Sequence, residues 1–80
     1  MGYRVLLIQK VKVYGDEFQV ELREFPKWDG GSWFQLVNVY ANCEHDRGIP
    51  YHTIEEAVRA FESATGRTLT EEVKCYLGKR

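Results

Sequence analysis

Cysteine, excess charge and long apolar runs are all scarce in this chain, and each shortage removes a class of protein. Cys43 and Cys75 are the only cysteines among 80 residues, too few for the disulfide framework of a small secreted domain. The N-terminus lacks the charged, apolar and small-residue order of a signal peptide, so both thiols are expected free and the chain is expected in the cytoplasm. Eleven basic residues face twelve acidic ones, a formal charge of −1. Domains that bind duplex nucleic acid through phosphate contacts carry a clear basic excess; a local basic patch stays compatible with the balance. The longest apolar run, Val5 to Ile8, has four residues, far from the roughly 18 that a membrane span needs. No membrane partner is expected.

Recognisable chemistry is also missing. The densest set of potential ligands is Cys43-Glu44-His45-Asp46, with His52 nearby and Cys75 distant. Zinc sites use paired Cys-x2-4-Cys and His-x3-5-His ligands, and this spacing fits none of them. The reading is a polar loop with no metal and no cofactor. A Cys43–His45 pair lacks a third group to orient the base and a scaffold for an oxyanion hole. Gly30-Gly31 is not followed by the Lys-Ser/Thr of a phosphate loop. Glu55, Glu56, Glu62, Glu71 and Glu72 fall on helix faces or caps. No catalytic residue is assigned, and the chain is expected not to be an enzyme.

What is present is an ordered alternation of apolar and polar residues. Hydrophobic residues make up 44% and aromatics 14%, enough for one packed domain spanning 1–80. Tyr3 to Tyr14 reads as a strand, with Val11 and Val13 opposed to Lys10 and Lys12. Gly15-Asp16 signals a turn. Phe18 to Phe25 alternates cleanly, with Phe18, Val20 and Leu22 against Gln19, Glu21 and Arg23. That hairpin is expected to bring Lys10 or Lys12 near Glu21. Asp29-Gly30-Gly31 is a second turn, and Trp33 to Ala41 a third strand. There Trp33, Val37 and Val39 oppose Phe34, Leu36 and Tyr40. Asn42 to His52 reads as a long loop.

The clearest element follows. Thr53 to Gly66 opens with a capping box (Thr53, Glu56) and carries one stripe of Ile54, Ala57, Val58, Phe61 and Ala64. It closes on a glycine suited to the left-handed cap. Thr70-Glu71-Glu72 marks a second N-cap, predicting a short helix over 69–77, with a fourth strand as the rival. The fold class predicted is α+β: a three-stranded antiparallel meander, one amphipathic helix on one face and a short C-terminal helix.

The segment Thr53 to Glu62 resembles the closing helix of WGR domains and the helix of plant-type and integrase three-stranded DNA-binding sheets. Trp-Gly-Arg itself is absent, as are the dense basic and aromatic strand positions of the plant type, so no functional residue is carried over.

One helix covers one face of a sheet, and Tyr3, Tyr14, Trp28, Trp33, Phe34, Tyr40 and Tyr51 exceed what it can shelter. Tyr and Trp outside a core are the types that anchor protein interfaces or stack on unpaired bases. Trp28, between Pro26-Lys27 and Asp29-Gly30-Gly31, is the foremost candidate for exposure. Arg4, Lys10 and Lys12 share parity, and with Arg23 and Lys27 they would line the face away from the helix, blunted by Glu21. The expected function is a non-enzymatic protein-binding module. It would be a small inhibitor or accessory regulator, of the kind that viruses and mobile elements encode against defence complexes, occupying a larger protein through Trp28, Trp33, Phe34, Tyr40, Tyr51, Lys10, Lys12 and Arg23. The alternative is a nucleic-acid-binding sheet using Trp28, Trp33, Lys10, Lys12 and Arg23. The sequence also leaves pairing of two chains through an edge strand open.

Overall fold

The chain was described with a computed structural model that covers residues 2–79. Alternating residues with a tight turn between them form a hairpin of β1 (Arg4–Val13) and β2 (Asp16–Pro26). The turn is Tyr14-Gly15, one position before the pair expected, with φ of 51° and 89°. Two successive left-handed residues are the backbone of the turn that matches strand twist, and Gly15 adopts that region at no steric cost.

A three-residue tip, Trp28-Asp29-Gly30, leads into β3 (Ser32–Val39). The Lys27 amide donates to the Gly31 carbonyl at 2.8 Å, and Asp29 accepts from the Gly31 amide at 3.0 Å. The expected antiparallel meander is present, and the third connection corrects its strand count from three to four among the described residues. β3 ends at Val39, short of the expected Ala41; Ala41-Asn42 turns the chain back, and within the predicted loop 42–52 β4 (Glu44–Asp46) pairs antiparallel with β3. The Arg47 amide still donates to the Leu36 carbonyl of β3 at 3.0 Å. Gly48 to Pro50 then leave the sheet, and Tyr51 returns to exchange two backbone bonds with Phe34, at 2.7 and 2.9 Å. The sheet has four strands in the order β1-β2-β3-β4.

Helix α1 (Ile54–Thr65) is capped as the sequence indicates. The Glu56 amide donates to Thr53 Oγ1 at 3.2 Å, and Gly66 sits at φ 73° with its amide on the Glu62 carbonyl. The reciprocal bond differs from a standard capping box, because the Thr53 hydroxyl donates to the Glu56 carboxylate. The rival strand at the C-terminus is not formed. Thr70 caps α2 (Glu71–Lys79) by accepting from the Val73 amide.

The core lies between α1 and one sheet face: Val20, Leu22, Phe34 and Leu36 meet Ile54, Ala57, Val58 and Phe61, and Leu69 and Leu77 close the end. Glu62 fastens the two helices, accepting from the Leu69 amide at 2.8 Å and pairing with Lys74 at 3.4 Å. The Leu69 amide, and secondarily Lys74, hold its carboxyl below the usual range.

Register decides what the other face carries. Arg23 lies opposite Val5 and Gln35, Glu21 opposite Ile8 and Val37, and Phe25 opposite Trp33. A β-bulge between Val5 and Leu7 breaks the count in β1. Arg4 pairs with Glu24 and so belongs to the helix side, whereas Lys10 and Lys12 belong to the open side. The predicted shared parity of Arg4, Lys10 and Lys12 fails for that reason.

Candidate functional site: the open face of the sheet

Among the described residues no helix lies over the face away from α1, yet its centre is dry. Arg23 is 5% exposed and Val37 1%. The guanidinium reaches from β2 past β3 to β4, where it binds Glu44 through two parallel bonds of 3.0 and 3.1 Å. Its Nε donates to Glu21 at 2.9 Å. Glu21 was expected near Lys10 or Lys12; it lies opposite Ile8, and its partner is Arg23 on its own strand. Val37 sits on β3 between the rows of Arg23 and Glu44, so the crossing side chain is what shelters it. The Tyr3 ring packs against the guanidinium at 4.3 Å. Two-pronged carboxylate pairing and ring contact are the uses for which arginine is suited and lysine is not. The bond to Glu44 raises the Arg23 pKa above its ordinary value, and Arg23 holds the Glu44 carboxyl below its own.

Beside this cluster runs an aromatic row. Tyr3 lies 5.4 Å from Phe25, and Phe25 stacks on Trp33 with centroids 4.4 Å apart and planes 11° from parallel. That separation is close to the spacing between neighbouring strands. Phe25 has an aromatic ring on either side, Tyr3 tilted by 39° and Trp33 stacked, and Trp33 gives one of its faces to Phe25. Val5 and Ile8 continue the surface toward β1 and are 38% and 50% exposed.

The sequence-derived residues divide between the two sides. Trp33, Arg23, Lys10 and Lys12 share the open face. Trp28 stands alone at the tip of the β2–β3 turn, 99% exposed. Phe34 is a core residue, removed from any contact surface by α1. Tyr51 packs against that core. Tyr40 is on the helix side beyond the helix, between Phe18 at 5.0 Å and His45 at 5.7 Å. Sequence reasoning did not select Tyr3, Val5, Ile8 or Phe25 for the site. Phe25 was legible, because it shares parity with Arg23 and the short turn sets it opposite Trp33.

Cys43 and His45 do meet, Sγ to Nε2 at 3.5 Å, and both are exposed. The ring edge-on to His45 is Tyr40, which offers no carboxylate to orient the imidazole. Among the described residues no three Cys, His, Asp or Glu side chains gather as for a metal, and no helix is long and apolar enough to cross a membrane. The chain matches no protein-family model, and neither a curated protein nor a solved structure shows a significant likeness to it.

Proposed function

We propose that this domain is a non-enzymatic protein-binding module whose contact surface is the open sheet face, used to occupy a larger protein as an inhibitor or accessory regulator. The observation that carries the reading is the row of packed aromatic rings beside a cation already neutralised by two carboxylates. Unpaired bases bind by lying flat on a ring or by offering phosphate to a free guanidinium. Here the Phe25 and Trp33 faces are turned to each other, and Arg23 is engaged by Glu21 and Glu44. The same arrangement suits a protein partner, where apolar edges fill pockets and a polar rim excludes water. Tyr3, Val5 and Ile8 supply exposed apolar area continuous with the row.

The test is affinity capture on the folded domain, mass spectrometry, and titration calorimetry with the purified partner. Ile8→Glu is expected to weaken binding by about tenfold or more with the melting temperature unchanged. Wild-type affinity in that variant would place the interface elsewhere. Salt-dependent anisotropy with a single-stranded oligonucleotide, lost in a Lys10→Glu/Lys12→Glu variant, would instead favour nucleic acid.

A further inference from the structure

The two edges of the sheet are unequal. β4 is three residues long, whereas β1 runs for ten with a neighbour on one side only. The Tyr14-Gly15 turn fixes which backbone groups of β1 point outward. In a two-residue hairpin the flanking pair, Val13 and Asp16, exchanges both of its backbone bonds. Alternation then turns Val11, Gln9 and Leu7 toward β2, and Lys12, Lys10 and Ile8 toward the free edge. The Lys10 carbonyl agrees with that count, since it accepts from the Gln9 side chain at 3.0 Å rather than from β2. The three residues with outward backbone also carry their side chains on the open face.

Long bare edges invite pairing, and proteins blunt them with charge. Here the charge protects one half only. Lys10 and Lys12 guard the half near the turn, while Val5 and Ile8, with Tyr3 beside them, leave the other half apolar and exposed. Resting on the reading of the domain as a binding module, we propose that the β1 edge takes an extended segment of the partner protein as a fifth, antiparallel strand. Its side chains are acidic along Lys12 and Lys10 and apolar along Ile8 and Val5. Main-chain bonds to Ile8, Lys10 and Lys12 supply the affinity, and the change from charged to apolar supplies direction and register. A second copy fits less well. Antiparallel pairing that sets the lysines opposite one another opposes like charges. An axis moved to Leu6 and Leu7 puts the bulge of both copies at its centre.

The probe is a fluorescein-labelled peptide, Glu-Thr-Glu-Thr-Val-Thr-Val, with a control carrying lysine for both glutamates. Amide hydrogen exchange of the full chain is followed by NMR with either peptide at millimolar concentration. The acidic peptide is expected to slow exchange at Ile8, Lys10 and Lys12 by about tenfold or more, and the control to leave it unchanged. The Lys10→Glu/Lys12→Glu variant should reverse the preference. Unchanged exchange with the acidic peptide, or equal slowing by both, overturns the proposal. So does slowing at those amides without peptide in a sample that sediments as a dimer, which assigns the edge to a second copy. A captured partner that needs Ile8 yet leaves all three amides exchanging freely overturns strand addition alone, with the binding-module reading intact.

Discussion

The two faces of this sheet are made by the same strands and stay dry by opposite means. On the covered face, α1 lays Ile54, Ala57, Val58 and Phe61 over Val20, Leu22, Phe34 and Leu36. Water is excluded by a second layer, and every contributor is apolar. On the open face the described residues supply no second layer, and Val37 is kept from water by side chains of the sheet itself, chiefly Arg23 in its bonds to Glu21 and Glu44. The covered face depends on volume and shape. The open face depends on the position and ionisation of three charged groups. It is therefore the one that single polar substitutions should disturb, and pH acts on it through Glu44 as it acts on the helix layer through Glu62.

Emptying the covered face should have the largest effect. Phe61 is fully buried at the centre of the stripe, and Phe61→Ala is expected to cost about 3–5 kcal/mol, a large share of the stability of a domain this size. Urea denaturation followed by circular dichroism measures it, and a cost below about 1 kcal/mol would mean that α1 is not the cover described. On the open face, Arg23→Ala is expected to cost about 3 kcal/mol because it strands Glu21 without its cation. The double change Arg23→Met/Glu21→Gln is expected to recover most of that loss. If the double variant is no better than the single one, the ionic cluster is not what the substitution harms. Thr53→Ala, which removes the cap of α1, should cost about 1 kcal/mol, read as a fall in melting temperature of about 4–8 °C.

The comparison can also be sharpened by pH. Arg23 depresses the Glu44 carboxyl, so the pair stabilises the fold above the unfolded value of about 4.3. That stabilisation is lost as pH falls through the lower folded value. Glu44→Gln should therefore flatten the drop in melting temperature between about pH 6 and about pH 3, while the cap variant keeps the wild-type slope. Equal slopes would show that the open face does not contribute to acid sensitivity. The smallest effect is expected at Trp28, which is fully exposed at its turn. Trp28→Ala should change stability by less than about 0.5 kcal/mol.

The covered face was legible in β2 and α1, where the reason is periodicity, and not at Phe34 and Tyr51, which were assigned to the contact surface and belong to the core and its margin. Phe18, Val20 and Leu22 keep strict alternation, and Ile54 to Phe61 keep helical spacing between an unambiguous cap at Thr53 and a stop at Gly66. The open face was less so. Glu44-His45-Asp46 has no strand-forming residue, and β4 exists because β3 offers it a ladder and Arg23 offers the Glu44 carboxylate a guanidinium. Neither is visible in the local sequence. Arg23 read as a solvent-facing cation because alternation predicts which face a side chain takes, and cannot predict that it will lie down across two neighbouring strands. Phe34 and Tyr40 share parity but not surroundings, since α1 ends its cover between them.

The bulge at Leu6 gives the first residues a property that counting along the strand conceals. By adding one position against Leu22, it turns Arg4 to the side of Glu24. Tyr3 is left free to reach Arg23 and Phe25. Deletion of Leu6 would leave Val5 opposite Arg23 and Arg4 opposite Glu24, so that β1 alternates regularly along its whole length at the loss of the contact Leu6 makes with the core. The bulge is thus a slack point in β1: one residue can be lost there without moving any pair on either side of it.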